Sequence, residues 1–489
     1  MQTRRFFIGG LASCFALGPS RIFAATKQVL PSGKPSLVFG VVSDIHISLA
    51  AGGKSIIPAY NTEIFKATLS RFRDANVDAV VIAGDMAHLG LGPELVEVGK
   101  AWSEIFPGNR APDGRRVEPV FVTGNHDTGK NRGKRAYGKD KKAIAENTIC
   151  NDPAKWWDLA FHEEWQSIFR KNVKGYTFVG AQWSAYGCRE NNAPFNPEIP
   201  DWYAKNGKSI DPSLPFFHVQ HPHPKGTVHG DKVWGQDTAL STNALSAFPN
   251  AVAFSGHSHI SLTDERSIWQ GAFTSVGCAS LRNVSIGVPG VKMHGGSFEN
   301  GRSKKAELDA IKAMPEINRF ECKQEQIVRV YPDCMTFSRR EAISGESYGP
   351  DLVMPLPAAE KRPFDHKLRF AKAMAPEFPN GAKLEIAKKD GKLRGKKKVK
   401  VWEIVIPPAN ALKNTRPAMY EIEIAAEGGF SLTRAVCNPG ARFPETNARA
   451  NRPVNFRIDA SRIPAESFTV RVTAISYWNR RSAPLEGKA

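Results

Sequence analysis

No stretch of the chain offers the roughly 20 consecutive apolar residues that a membrane-spanning helix needs, and no two cysteines stand at CxxC spacing. The first absence leaves no transmembrane segment to expect. The second makes the cysteines buried thiols or occasional bridges rather than metal ligands. Internal repeats and long low-complexity tracts are missing too, so no repeat architecture is expected. Acidic residues are few beside basic ones, 48 against 67, for a net charge of +19. Such an excess favours anionic partners. No recognised nucleic-acid-binding module accompanies it, so no stable nucleic-acid partner is expected.

What is present is a globular composition, 41% hydrophobic and 24% charged, in a chain of 489 residues. That length is too great for one core to grow economically, and two domains of unequal size follow. The N-terminus stands apart. Arg4-Arg5 precedes an apolar stretch from Phe6 to Gly18 that is too short to cross a bilayer, the pattern of a twin-arginine export signal over 1–25. Cleavage is expected after Ala24 or Ala25, and the mature protein in the periplasm or outside the cell. The route carries folded cargo, which suits a protein that loads metals before leaving the cytoplasm. Cys14 falls in this segment, leaving Cys150, Cys188, Cys278, Cys322, Cys334 and Cys437, an even number that permits disulfides without fixing their connectivity.

Positive charge concentrates in two stretches. Residues 130–143 carry seven basic residues against Asp140, and residues 388–400 carry eight against Asp390. The second reads as a solvated surface. The first starts three residues after an Asn-His-Asp motif and is placed to draw an anionic substrate toward it.

Residues 36–42, 79–83, 119–122, 215–219 and 251–254 are nearly continuous apolar runs of strand length, as in strands buried on both faces. Between the first two, Ile64, Phe65, Leu69 and Phe72 recur at helical spacing within 61–75, and a second helix is expected over 93–105. Strand alternating with helix means crossover units and a largely parallel sheet. Residues 154–170 read as a tryptophan-rich helix whose Trp156, Trp157 and Trp165 belong to the core. Strands around 176–179 and 273–276 follow, then a hairpin, 326–331 into 335–337, that extends the sheet at an edge. Residues 26–345 thus make an α/β domain. Residues 346–364, rich in proline, read as a linker. Residues 365–489 carry period-two strands at 401–406, 419–424, 454–458 and 468–474, a small antiparallel all-β sandwich.

Each of the five apolar runs ends in residues that can ligate a metal: Asp44 and His46, Asp85, Asn125, His221, and His257 with His259. Positions 44, 85 and 125 recur about one crossover unit apart, at the strand ends where open α/β sheets place their sites. Two metal ions roughly 4 Å apart activate water and clamp phosphoryl oxygens. Such a pair needs a bridging carboxylate with oxygen and imidazole ligands around it. Asp85 is the expected bridge, because Gly84 before it lets backbone and metal approach closely. Asp44 and His46 sit two apart, which in extended backbone points both side chains the same way, and His257 and His259 share that spacing. One ion would take Asp44, His46 and a late histidine. The other would take Asn125, His221 and the other late histidine, with His126 facing the substrate. His223 competes with His221, which is preferred because it follows its strand at once. His88 and His229 read as outer groups.

Asp-x-His, Gly-Asp, Gly-Asn-His-Asp, a histidine after a strand and Gly-His-x-His, in this order, resemble the calcineurin-like metallophosphoesterase superfamily across roughly 36–340. The resemblance implies an α/β/β/α sandwich with Asp44, His46, Asp85 and His259 at one metal and Asp85, Asn125, His221 and His257 at the other. It further implies that His126 binds the substrate phosphate or protonates the leaving oxygen, and that Asp127 orients His126. Purple acid phosphatases resemble the chain more broadly. They carry glycine where His46 stands and a metal-binding tyrosine where His88 stands, which argues against that branch. The closing residues 470–484 resemble the last strands of a fibronectin type III domain.

The expected function is therefore an exported hydrolase of phosphate monoesters or diesters, a metal-bridging hydroxide attacking phosphorus in line. Its cofactors would be two divalent or mixed-valence ions, Mn, Fe or Zn. The competing expectation is a non-catalytic secreted binding protein that uses the metals structurally and the C-terminal domain for surface-polymer contact. The intact His126 and Asn125 speak against it. Removal of the tail domain is expected to leave the metals in place. No feature of the sequence fixes the oligomeric state.

Overall fold

The computed structural model describes residues 31, 33–49, 57–128, 133–183, 196–231, 233–288, 322–358, 361–392, 398–410, 415–448 and 450–489. The expected export signal, Cys14, Cys188 and the parts of the two basic stretches at 130–132 and 393–397 lie outside the described residues.

Strand β1 (Leu37–Val42) pairs in parallel with β2 (Ala79–Ala83), and β2 with β3 (Glu118–Val122). The crossovers are helices α1 (Ile57–Asp74) and α2 (Gly92–Ile105). Alternation along β1 feeds two cores at once. Leu37, Phe39 and Val41 enter one, while Val38 and Val42 enter another with Phe65, Leu69 and Phe72 of α1 and Leu95 and Val98 of α2. This double burial is why the run reads as unbroken apolar sequence.

The helix Pro153–Phe161 is shorter than its spacing predicts. His162 takes a left-handed conformation at φ 54° and ends it. Residues beyond form β4 (Ile168–Val173), paired antiparallel with β5 (Tyr176–Ala181), so sheet pairing wins over helical spacing. Trp156 and Trp157 are buried beneath α2, and Trp165 packs on the same core from outside the helix. The chain continues through β6 (Phe216–Val219), β7 (Ala251–Ser255), β8 (Ile268–Gln270), β9 (Thr274–Gly277), β10 (Gln324–Val330), β11 (Cys334–Glu341) and β12 (Leu352–Pro355).

Two six-stranded mixed sheets result, in the orders β12-β11-β10-β1-β2-β3 and β4-β5-β6-β7-β9-β8. Their facing sides share one core in which Phe39 meets Phe178, Phe217 and Phe254 at centroid distances of 5.3, 4.8 and 5.6 Å. Helices cover both outer faces, with Ile199, Tyr203 and Leu245 over the second sheet. The layers are α/β/β/α. The hairpin β10–β11 extends the first sheet antiparallel to β1, and β12, which falls inside the proline-rich stretch 346–364, is its edge.

The C-terminal part is all antiparallel. It adds β13 (Glu385–Lys392), β14 (Lys398–Ile406), β15 (Pro417–Ala426), β16 (Phe430–Cys437), β17 (Val454–Asp459), β18 (Phe468–Ser476) and β19 (Leu485–Lys488). These stack as β13-β14-β17 over β16-β15-β18-β19 around Ile404, Tyr420, Ile422, Val470 and Val472. Another core joins this sandwich to the α/β layers: Val284, Ile286, Val288 and Cys322 pack with Met419, Cys437, Ala441, Phe443, Ile475 and Tyr477. Thr263 Oγ1 donates to Ala441 O at 2.6 Å and lies 2.8 Å from Tyr477 Oη. Cys278, Cys322, Cys334 and Cys437 are buried, and Cys150 is disulfide-bonded. Among the described residues no helix is long and apolar enough to cross a membrane.

Candidate metal centre

The segments after β1 and β2 leave their sheet side by side. Asp44 N–H donates to Gly84 O at 2.9 Å, His46 N–H to Asp85 O at 3.0 Å and Ile47 N–H to Met86 O at 2.8 Å. Asp44, His46, Asp85, His257 and His259 all adopt left-handed backbone, with φ of 55°, 52°, 55°, 69° and 56°. This corrects the extended geometry expected for the Asp44/His46 and His257/His259 pairs. Each such residue carries strain on the order of 1–3 kcal/mol, and Asp and His tolerate the conformation better than most. Two glycines make room. Gly84 sits at φ 89°, and a Cβ there would overlap the His221 imidazole; a Cβ on Gly124 would overlap the Asp85 carboxylate. The space at Gly84 thus holds a histidine ring, where the sequence suggested direct approach of backbone to metal.

The predicted ligands converge. Asp44, His46 and His259 form one group, and Asp85, His221 and His257 another, with the ligand atoms of each group within 4.8 Å of one another. Asp85 stands between them, its Oδ2 3.6 Å from His46 Nε2 and 3.3 Å from His221 Nε2. Asn125 Oδ1 lies 3.2 Å from His221 Nε2, and His46 Nε2 lies 3.4 Å from His259 Nε2. Outer partners fix the rings. His221 Nδ1–H donates to Ala83 O at 2.7 Å and His259 Nδ1–H to Asn283 O at 3.1 Å, which turns both Nε2 atoms to the centre.

The donors fit a pair of cations. Asp44 Oδ1 is buried without a hydrogen-bond partner, while His259 Nε2 stands 2.8 Å from it. Because Nδ1 is turned to the Asn283 carbonyl, it is the Nε2 lone-pair position that faces this carboxylate oxygen. A carboxylate oxygen and an imidazole nitrogen brought together in this way can share one cation. Carboxylate, amide oxygen and imidazole donors suit Mn, Fe or Zn.

Electrostatics follow the same crowding. Burial would raise the Asp44 and Asp85 carboxyls, but the histidines around them outweigh it and hold both well below the usual carboxylate range. Burial opposes charge on His221, yet Asp85 and Asp44 push its pKa up to about 9. Burial and the neighbouring His221 take His257 down to about 3. Asp127 goes the other way, pushed up to about 7 by burial and the Asp85 charge.

His126 is set by its backbone and its ring. Its N–H donates to Asp85 Oδ1 at 2.7 Å, and Nδ1–H donates to His88 O at 2.7 Å. The expected orienting residue, Asp127, instead accepts backbone N–H bonds from Gly124 at 2.7 Å, Ala87 at 2.6 Å and Met86 at 3.3 Å, tying the β2 and β3 loops together. His223 is held by Ser255 Oγ and Ser258 Oγ, each at 2.7 Å, so both its nitrogens are taken. His229 pairs with Asp264 at 3.3 Å, outside the centre. His88 is closer than its sequence position suggests: its ring stacks on His126 at 5.1 Å, and Arg282 Nη1 donates to its Nδ1 at 3.1 Å. Sequence reasoning also missed Trp183 and Trp234, whose rings lie 5.3 and 4.2 Å from the His257 ring. Neither follows a periodic pattern that would have singled it out.

Residues 37–261 match the model of the calcineurin-like phosphoesterase family. No curated protein matches the chain. Among solved structures it is similar to a dimetal phosphatase from Danio rerio, at 12% identity and a TM-score of 0.36 over 66% of this chain and 99% of that one. A purple acid phosphatase from yellow lupin gives 11% identity and a TM-score of 0.39 over 65% of this chain and 54% of that one. A zinc-complexed Vps29 from Entamoeba histolytica gives 8% identity and a TM-score of 0.27 over 65% and 99%.

Proposed function

We propose, from the premise that residues 37–261 are a calcineurin-like phosphoesterase domain and the chain a metal-dependent phosphoesterase, that it is an exported dinuclear-metal hydrolase of phosphate monoesters or diesters. The observation that carries this reading is Asp85, placed within reach of both ligand groups while Asp44 Oδ1 is left without a hydrogen bond. Asp44, His46, Asp85 and His259 would hold one ion, and Asp85, Asn125, His221 and His257 the other. When bound, such a pair supplies Lewis acidity, polarising the phosphoryl oxygens and making water a nucleophile near neutral pH.

The chain's own residues do the rest. Asp85 fixes the start of the Asn125–Thr128 turn through the His126 N–H, so ligand and proton donor are positioned by one carboxylate. With Nδ1 committed to His88 O, the His126 ring donates from Nε2 only as the imidazolium, which suits protonation of a departing oxygen. Lys134, Arg135, Lys139, Lys141 and Lys142 are exposed and follow this turn in sequence, a source of attraction for an anionic ester. Export rests on Arg4-Arg5 and the apolar stretch behind it. The C-terminal sandwich is read as fibronectin type III-like, supported by its seven strands in sheets of three and four.

After reconstitution with manganese, zinc or iron the protein should turn over aryl phosphate mono- and diesters. His126→Ala should lower kcat by roughly 10²–10⁴, and Asp85→Asn should abolish turnover. Undiminished turnover in either variant refutes the assignment.

A further inference from the structure

All ten tryptophans are among the described residues, and Trp234 is the exposed one, with 46% of its surface open. Single exposed apolar side chains are ordinary. This one stands against the metal centre. Its indole lies 4.2 Å from the His257 ring with the planes 31° apart, an offset stack. Half-buried Trp183 meets the same imidazole at 5.3 Å and His221 at 5.6 Å.

The residues that follow Trp234 are tied down by hydrogen bonds. His223 N–H donates to Gly235 O and Asp237 N–H to His223 O, each at 2.8 Å, and Gln236 Nε2 donates to Gly230 O at 2.7 Å. Asp237 accepts from Lys225 N–H at 3.0 Å and Ala239 N–H at 2.8 Å, and from Ser241 Oγ. Gly235 lets the loop press this close, since at φ 94° a Cβ would come within 2.8 Å of His257 Cδ2. The indole is therefore held in place before any ligand arrives, which removes much of the ordering cost of binding.

We propose that Trp234 is a stacking shelf for a planar aromatic group carried by the ester, an aryl ring or a nucleobase. This rests on the hydrolase reading above. His257 is among the residues that would hold an ion, and the indole packs directly on it, so an ester whose phosphoryl group is drawn to that centre would carry a nearby aryl ring, or a nucleobase at the far end of its ribose, past the indole. Stacking of one base on an aromatic side chain is worth about 1–3 kcal/mol, roughly a 5- to 150-fold preference.

Two matched pairs test it. Adenosine 5′-monophosphate and ribose 5-phosphate differ by the base alone; phenyl phosphate and ethyl phosphate carry the aryl arm. In each pair the kcat/KM ratio is compared between wild type and Trp234→Ala, so intrinsic leaving-group reactivity cancels. We expect the ratio of at least one pair to fall 5-fold or more, with Trp234→Phe restoring it, and the pair that responds names the aromatic group. Ratios unchanged in both pairs, with all four esters slowed alike, would overturn the proposal and leave Trp234 a cover over the centre. If wild type hydrolyses none of the four, the hydrolase reading is what has failed. Calorimetric titration with the same two pairs then decides the shelf: a preference for the aromatic member in wild type, lost in Trp234→Ala, supports it, and equal affinities refute it.

Discussion

His221 carries the clearest consequence at the scale of single residues. Burial opposes its charge, but Asp85 and Asp44 beside it outweigh burial and raise its pKa to about 9, and a cation on the same carboxylates must displace that proton. The folded value is raised above the ordinary 6.5, so the metal-free protein gains stability from this pair below pH 6.5 and loses it as pH rises through about 9. Metal affinity takes the opposite slope. Manganese affinity, measured by chelator competition, should rise about tenfold per pH unit from pH 7 and level off above about 9. A flat profile would mean that His221 does not ligate. The positions that converge on the centre were legible in sequence because each closes an apolar run at a strand end. The left-handed backbone at Asp44, His46, Asp85, His257 and His259 was not, since those segments are bonded to loops far along the chain.

At the scale of elements, the short segment after the late histidines joins the two parts of the molecule. Glu265 is buried there with Oε1 accepting Arg416 N–H at 2.8 Å and Oε2 without a partner. Burial and the adjacent Asp264 push its pKa up to about 7, although Arg416 and Arg369 pull it down. A carboxyl raised in the folded state binds more protons folded than unfolded, so stability falls as pH rises from about 4.5 to about 7. Glu265→Gln removes this dependence. In urea unfolding, wild type should lose about 3 kcal/mol relative to Glu265→Gln between pH 4 and pH 8; parallel profiles would contradict the burial of the charge. Strand legibility divides along the same physical line. Core strands such as β7 announce themselves by apolar runs, whereas β13, Glu-Ile-Ala-Lys-Lys-Asp-Gly-Lys, is a strand only because β14 pairs with it along its whole length.

For the whole molecule, Lys34–Ala489 is one compact unit. The sequence suggested a tail that could be removed with the metals left in place. The shared core changes that expectation. Ser285 N–H donates to His259 O at 2.7 Å, and Val284, Ile286 and Val288 beside it are buried against the sandwich. Each apolar side chain so covered is worth about 1.5–3 kcal/mol, and a domain's net stability is only about 5–15 kcal/mol. Truncation after Pro363 should therefore lower the thermal midpoint and weaken metal binding at the group that includes His259, read by calorimetric metal titration. Retention of both metals with wild-type affinity would show the segment to be self-supporting. A proline-rich stretch signals a boundary in composition, but composition carries no record of which apolar residues cover one another across it. Cut points for chimeras follow from this: the sandwich and the 284–288 segment must be inherited together, so an exchange of tails among related chains that splices only at the prolines would pair mismatched halves and disturb a histidine far upstream.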